Sequence, residues 1–211
     1  MHTYRADLQI HSCLSPCGSL DNSPRAIIET AVQRGVDIIA LTDHNTTANC
    51  PAFAACAART PLVTCLFGAE VTTAEEVHVM CLFGAEDQAC SFGRLLAGSL
   101  PPRRNDPEYF GDQPVVDDVD TILRLDDSFL AGAVTLPIDA VANEAHARGG
   151  IVIASHIDRQ INSVFSQLGI WPADVAFDAA DLSAQGDESA WRALLPPGLP
   201  VIRSSDAHYL E

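Results

Sequence analysis

Five of the seven histidines lie at, or just after, short apolar runs that are typical of strands. They are His11, His44, His78, His156 and His208. Acidic residues occupy comparable positions, namely Asp7, Asp43, Glu70 and Asp206. Imidazoles and carboxylates that converge on one place are typical ligands of divalent metal ions. More such groups are present than one ion needs, so the pattern predicts a polynuclear metal site.

The other two histidines do not share this placement. His2 is close to the N-terminus and His146 lies within a predicted helix, so we assign both to the surface. The Asp43-His44 pair and the Asp206-Ala207-His208 unit strengthen the prediction of a metal site. A carboxylate commonly orients or shares the metal of a neighbouring imidazole.

Seven apolar runs predict strands, and several are nearly continuous, as expected for a buried parallel sheet. They span residues 5–10, 37–42, 62–71, 77–84, 150–155, 175–182 and 199–203. Helices are predicted near 24–34, 50–58, 88–97, 119–129, 138–148, 161–168 and 188–195. This alternation favours a compact α/β barrel or an open doubly wound sheet. In both folds the carboxyl ends of parallel strands meet at one edge, where distant residues form a site.

Residues 100–118 differ from the rest of the chain, with four prolines, mixed charge and little periodicity. We interpret this segment as an excursion over one face of the fold that could act as a lid. We find no convincing domain boundary, so residues 1–211 are predicted to form one domain.

The charge balance restricts the partners and the chemistry. With 12 basic and 28 acidic residues, the formal net charge is −16, which disfavours binding to polymeric nucleic acid. A small phosphorylated substrate remains compatible with this charge if a cation lines its pocket. All 12 basic residues are arginines, which excludes Schiff-base catalysis and a lysine-dependent P-loop.

The sequence also predicts the compartment. No apolar run approaches the ~20 residues of a membrane span, and the N-terminus lacks the apolar stretch of a signal peptide. Seven cysteines without a Cys-x-x-Cys pair are typical of a reduced, cytoplasmic protein. The oligomeric state is left open.

Five ordered motifs resemble those of the PHP (polymerase and histidinol phosphatase) family, in particular its small stand-alone bacterial members. They are Asp7-Leu8-Gln9-Ile10-His11, Thr42-Asp43-His44-Asn45, Gly68-Ala69-Glu70 with His78, Ser155-His156 and Ser205-Asp206-Ala207-His208. The resemblance implies a distorted (β/α)7 barrel with a metal site at the C-terminal ends of its strands. It also implies two or three divalent ions, zinc, manganese or iron, and hydrolysis of phosphoesters.

The resemblance assigns residues by position. The implied metal ligands are Gln9, His11, Cys17, His44, Glu70, His78, His156, Asp206 and His208. Of these, Glu70, Asp206 and His208 are the expected catalytic residues, and Asp7 and Asp43 are expected to support neighbouring ligands.

Two of these positions depart from the family pattern. Gln9 replaces the first histidine of the Asp-x-His-x-His motif, and it could coordinate a metal or only hydrogen-bond to a ligand. Cys17 stands where many members have an aspartate or histidine, and its thiol could be a ligand or inert.

The expected function is that of a metal-dependent phosphoesterase. It would hydrolyse a small phosphorylated metabolite or nucleotide through a metal-bound hydroxide at a di- or trinuclear centre. Arg159 and Arg203 are expected to bind the phosphate, and Arg103 and Arg104 could close over it. His44 or His208 could be a general acid if it binds no metal. The alternative, motivated by Gln9, is a non-catalytic metal-binding PHP module that acts as a sensor or binds a partner.

Overall fold

The computed structural model describes residues 3–210 and has nine strands in this range. The strands are β1 (Ala6–Ile10), β2 (Ile38–His44), β3 (Thr64–Thr72), β4 (His78–Phe83), β5 (Pro114–Val116), β6 (Ile122–Leu125), β7 (Ile151–Ala154), β8 (Ala179–Leu182) and β9 (Val201–Arg203). The helices are α1 (Pro24–Arg34), α2 (Cys50–Ala58), α3 (Glu86–Ser99), α4 (Pro107–Phe110), α5 (Ile138–His146), α6 (Val164–Leu168) and α7 (Glu188–Arg192). None of the helices within residues 3–210 is long and apolar enough to cross a membrane.

The main sheet is a nearly closed seven-stranded barrel in the order β1-β2-β3-β4-β7-β8-β9. Its two edges meet through a bridge between Ile10 and Ala207. The Ala207 carbonyl accepts from the His11 amide at 2.9 Å, and the Ala207 amide donates to the Gln9 carbonyl at 3.2 Å. This closure confirms the distorted (β/α)7 barrel and is incompatible with an open doubly wound sheet.

One strand runs against the others. β4 pairs antiparallel with both β3 and β7, whereas the other neighbouring pairs of the main sheet are parallel. The expectation of an all-parallel sheet is therefore wrong at β4. Only residues 73–77 separate β3 from β4, and a parallel connection needs a dozen or more residues.

Two apolar layers stabilise the barrel. The larger one lies between helices and strands, where α1 contributes Ile27, Ile28 and Ala31. A smaller one consists of strand residues and fills the inside of the barrel, and its buried members are Ala40, Met80, Leu82, Ile153 and Ala179. Burial on both faces explains the nearly continuous apolar strands.

The helix predicted over 119–129 is wrong. The Asp117 carboxylate accepts from the amides of Val119 and Thr121, and Asp120 has a φ of 66°, so this stretch begins with a tight turn. The chain then forms β6, which pairs antiparallel with β5. The segment 100–118 contains α4 and β5, and its end is held by a hydrogen bond from the Val116 amide to Asn49 Oδ1 at 3.0 Å.

Candidate metal centre

Glu70 lies on β3, 1% exposed, and its carboxylate faces four imidazoles. Glu70 Oε2 is 3.3 Å from His11 Nε2 and 3.5 Å from His44 Nδ1. Glu70 Oε1 is 3.2 Å from both His78 Nδ1 and His156 Nε2. Four imidazoles from residues up to 145 positions apart in the sequence therefore converge on one carboxylate.

The sheet register explains part of this convergence. His44, the last residue of β2, is the parallel partner of Glu70, which places their side chains at the same edge. His78 is the first residue of β4 and pairs with Thr72 near the end of β3. Because β4 is antiparallel, its start lies at the edge where the parallel strands end. A reversed strand thus contributes an imidazole to the same rim.

Two predicted ligands stand on backbone that is unfavourable for their residue type. His156 has a φ of 28° and Asp206 a φ of 54°. Such conformations cost of order 1–3 kcal/mol and concentrate at functional sites. The His156 amide donates to the buried Asp181 carboxylate at 3.3 Å, a support that our sequence analysis missed.

Among the residues that the structure describes, three overlapping groups could each hold a metal ion, with ligand atoms that lie within 4.8 Å of one another. They are His11, Cys17, His44 and His208; His44, Glu70 and His78; and His11, Glu70 and Asp206. His11, His44 and Glu70 each belong to two of these groups, so the groups form one continuous centre. His156 adjoins this centre through its contact with Glu70.

Gln9 is fully buried, and its Nε2 donates to Glu70 Oε1 at 2.7 Å. Its Oε1 has no hydrogen-bond partner in the described part of the chain. The amide nitrogen must face Glu70, because an amide oxygen there would repel the carboxylate. Gln9 therefore orients Glu70 here, while its carbonyl oxygen stays uncommitted.

The imidazoles of the cluster differ in pKa. Burial by itself would lower the pKa of His11, yet hydrogen bonds to Asp206 and Glu70 raise it to about 9. Burial and the neighbouring His11 charge lower the pKa of His44 well below its usual range and also lower the pKa of His208. His44 and His208 are therefore neutral at pH 7, the state in which imidazoles bind metals.

The carboxylates stay ionised. Burial would raise the pKa of Glu70, but the electrostatic interaction with His78 and hydrogen bonds from His11 and His156 hold it well below its usual range. Burial opposes ionisation of Asp206 as well, yet the hydrogen bond with His11 lowers its pKa. At pH 7 the centre thus combines charged carboxylates with a protonated His11 and the neutral imidazoles of His44 and His208.

Asp43 supports the site through hydrogen bonds to two neighbouring serines. Its Oδ1 accepts from the Ser12 amide and from Ser15 Oγ, each at 2.7 Å, and its Oδ2 accepts from Ser12 Oγ at 2.7 Å. Ser15 Oγ in turn lies 3.2 Å from His11 Nδ1. This chain of contacts fixes the ring of His11 so that Nε2 faces Glu70 and Asp206.

Asp7 has a different position from Asp43. Its Oδ1 accepts from the Ser205 amide at 3.0 Å, so it ties β1 to the segment that carries Asp206.

Cys17 is exposed at the edge of the centre, in one group with His11, His44 and His208. Partial exclusion of water from the thiol, followed by the charges of Glu70 and Asp206, raises its pKa to about 12. The thiol is therefore protonated at neutral pH unless a cation replaces its proton.

The two expected phosphate-binding arginines differ in position. Arg159 reaches the centre, with a guanidinium nitrogen 2.6 Å from Asp206 Oδ2. Arg203 donates to the carbonyls of Ser183 and Gly186 at 3.0 and 2.8 Å. The donors of Arg203 are therefore directed at backbone.

The remaining histidines are apart from the cluster. His146 Nε2 is 2.9 Å from Asp178 Oδ2 on the outer surface, as expected, and His2 lies outside the described residues. Asn162, another residue that our sequence analysis missed, has its Nδ2 2.8 Å from His78 Nε2. No pattern in the sequence singles it out, although it lies only six residues after His156.

The residues present fit divalent cations. Within residues 3–210, buried Gln9 Oε1 beside Glu70 finds no hydrogen-bond partner. An unsatisfied buried polar atom costs about 1–3 kcal/mol, and a cation would compensate it. Nitrogen and oxygen ligands of this kind suit zinc, manganese or iron.

Comparisons with known proteins address the family and the fold. The profile of the PHP domain family matches residues 7–134. A search of the curated proteins gives no significant match.

Three solved structures share the fold. The lesion-specific endonuclease PfuEndoQ from Pyrococcus furiosus is 16% identical, with a TM-score of 0.67 over 98% of this chain and 49% of its own. A Bifidobacterium adolescentis protein, assigned by inference as a metal-dependent phosphoesterase, is 18% identical, with a TM-score of 0.65 over 99% of this chain and 89% of its own. An amidohydrolase from Chromobacterium violaceum is 18% identical, with a TM-score of 0.58 over 97% of this chain and 87% of its own. This chain thus spans about half the length of the endonuclease.

Proposed function

Because this chain belongs to the PHP domain family, we propose that it is a metal-dependent phosphoesterase that hydrolyses a small phosphorylated metabolite or nucleotide. The observation that carries the proposal is the buried Glu70 carboxylate, which has two imidazoles within 3.5 Å of each oxygen. A carboxylate in this position can bridge two cations, and two cations close together are typical of phosphate-transfer sites.

The proposed ligands of the bridged pair are His11, His44, Glu70, His78, His156 and Asp206. His208 and Cys17 would hold a further ion together with His11 and His44. When bound, divalent cations lower the pKa of water and neutralise charge on a phosphoryl group.

The chain's own residues orient this chemistry. Gln9 fixes Glu70, and Ser15, held by Asp43, fixes His11. His208 Nδ1 lies 2.7 Å from the Asp206 carbonyl, which makes Nδ1 the donor and leaves the Nε2 lone pair free. That tautomer suits His208 as a ligand better than as a general acid.

Arg159 is the proposed phosphate-binding cation. Its guanidinium contacts one oxygen of Asp206, while 46% of its side chain is exposed. The remaining donors can hydrogen-bond to a phosphoryl oxygen without breaking this ion pair. The pair would hold the guanidinium beside the reacting phosphate.

The test is phosphate release from a panel of phosphoesters by protein loaded with manganese, zinc or iron. Sugar phosphates, nucleotides and phosphorylated amino acids form the panel, and strand cleavage of a short DNA oligonucleotide is followed separately by gel electrophoresis. We expect activity on small phosphoesters, at least about 100-fold lower in Glu70→Gln, because the residual centre lacks its shared ligand. His146→Gln, a surface histidine outside the centre, is the matched control and should retain activity within about twofold.

The other outcomes separate the alternatives. A metal-loaded protein that releases phosphate from no substrate would contradict the proposal and support the non-catalytic binding module. The similar endonuclease acts on DNA, and the oligonucleotide is included for that reason. The net charge of −16 opposes a long polyanion, so oligonucleotide cleavage would overturn the charge-based expectation.

A further inference from the structure

A pocket of about 480 Å³ opens beside the metal centre. Its lining includes Thr72, Glu76, Arg103, Phe129 and Asn162. Two of them contact or pair with His78. Thr72 is its partner across the β3–β4 pair, and Asn162 has its Nδ2 2.8 Å from His78 Nε2. The pocket therefore adjoins the part of the centre formed by His44, Glu70 and His78.

The Asn45 side chain attaches one wall of the pocket to the ends of the strands. Asn45 Nδ2 donates to the carbonyls of Leu130 and Gly132 at 2.9 and 2.7 Å, and its Oδ1 accepts from the Thr72 amide at 2.9 Å. Asn45 is buried and follows the last residue of β2. The loop after Phe129 is thus attached to the strand ends that carry His44 and Glu70. A preformed wall of this kind is typical of a binding pocket.

Arg103 provides the cation of this pocket. Its guanidinium carbon lies 3.9 Å from the centre of the Phe129 ring, an arrangement that orients the group without using its hydrogen-bond donors. Within residues 3–210, no ion pair to Arg103 is observed, whereas Arg104 pairs with Asp127 and Arg159 with Asp206. Arg103 therefore presents an oriented and unneutralised guanidinium next to the centre.

We propose that Arg103 binds a carboxylate on the leaving part of the substrate, so that the preferred phosphoesters carry a carboxylate near the phosphate. This proposal rests on the proposed function. The guanidinium of arginine matches a carboxylate or a phosphate equally well in shape. Glu76 on the same pocket repels a doubly charged phosphate more strongly than a singly charged carboxylate, and the acidic surface acts in the same direction.

The test compares two phosphonates that cannot be hydrolysed, so that affinity is measured apart from activity. L-2-amino-4-phosphonobutyrate and 3-aminopropylphosphonate differ only by one carboxylate. Calorimetry on the manganese-loaded wild type should give at least about tenfold tighter binding of the carboxylate compound, the effect of one charge-assisted interaction.

Three variants locate the effect. In Arg103→Gln the ratio of the two affinities should fall to near one, and in Phe129→Leu, which removes the stacking surface, it should fall in part. Arg104→Gln, the neighbouring exposed arginine, should keep the wild-type ratio. Since Arg103 and Arg104 are both exposed, neither substitution removes a core contact.

Equal affinities in the wild type, an unchanged ratio in Arg103→Gln, or no binding of either compound would overturn the proposal. Hydrolysis is measured separately with O-phosphoserine and phosphoethanolamine. A carboxylate preference in binding without any hydrolysis would contradict the phosphoesterase proposal but leave the Arg103 site standing. Hydrolysis of both substrates at equal kcat/KM, together with equal binding, would contradict the site alone.

Discussion

Glu70 illustrates how the environment sets the chemistry of one residue. A carboxylate that is 1% exposed would be unstable as a charge without its four imidazole neighbours and the Gln9 amide. The sequence predicts Glu70 and its histidines because strand ends carry them. It does not predict which atom of Gln9 faces Glu70, since that depends on side-chain rotation within a packed core.

Gln9→Leu tests whether Gln9 has a role at the centre. The change removes the 2.7 Å hydrogen bond to Glu70 and replaces the amide with an apolar side chain of similar size. We expect metal affinity to fall about tenfold, as for other residues that orient a ligand. Equilibrium dialysis measures the affinity, and Gln9→His, which restores an imidazole, should match or exceed the wild type. Unchanged affinity in Gln9→Leu would contradict the orienting role.

His11 predicts a pH dependence for the metal-free protein. Its pKa is about 9 when folded and near 6.5 when unfolded, so its contribution to stability is complete below pH 6.5 and is lost as the pH rises through 9. The contribution amounts to about 3 kcal/mol at most. Urea unfolding at pH 6.5 and 9.5 should show a larger loss for the wild type than for His11→Gln. Equal losses in both would show that His11 is not the protonated group.

At the scale of elements, the seven apolar runs predict the strands of the main sheet, and their burial on two faces is the reason. The direction of β4 does not follow from its composition, because an apolar strand has the same sequence pattern in either direction. The five-residue connection before β4 is the signal that could have revealed it. The helix predicted over 119–129 fails for a related reason. Its apolar residues Ile122, Leu123 and Leu125 lie on the exposed strand β6. The turn capped by Asp117 prevents a helix from starting before them.

The close pairing of β3 and β4 depends on Gly68. A Cβ atom at this position would lie 2.1 Å from the Cys81 carbonyl oxygen of β4, so the two strands would have to separate. Gly68→Ala should lower the free energy of unfolding by about 2 kcal/mol or more and reduce metal content. Gly84→Ala, where nothing lies within 4 Å of the added Cβ, should change stability by less than about 1 kcal/mol in urea unfolding. Equal effects of the two substitutions would contradict the close approach.

At the scale of the molecule, the proposed ligands are distributed around almost the whole barrel, from β1 to the segment after β9. The bridge between Ile10 and Ala207 brings the first and last of these segments together beside His11 and Asp206. Cations bound there would connect segments that are otherwise joined by few backbone hydrogen bonds. Metal binding is therefore expected to stabilise the fold as a whole.

Thermal unfolding tests this coupling. Manganese or zinc at about 100 times the dissociation constant should stabilise the wild type by about 2.7 kcal/mol and raise Tm by roughly 5–10 °C. A chelator should reverse the shift, and Glu70→Gln should show little of it. A wild-type Tm that does not respond to metal would mean that the ions do not connect the barrel segments.

Metal content per chain tests the central claim most directly. Wild type and Glu70→Gln would be reconstituted with manganese, zinc or iron, desalted and measured by elemental mass spectrometry. We predict two or three ions per chain in the wild type and one or none in Glu70→Gln, because two of the three ligand groups share or adjoin this carboxylate. One ion or none in the wild type, or an undiminished count in Glu70→Gln, would contradict a polynuclear centre built on Glu70.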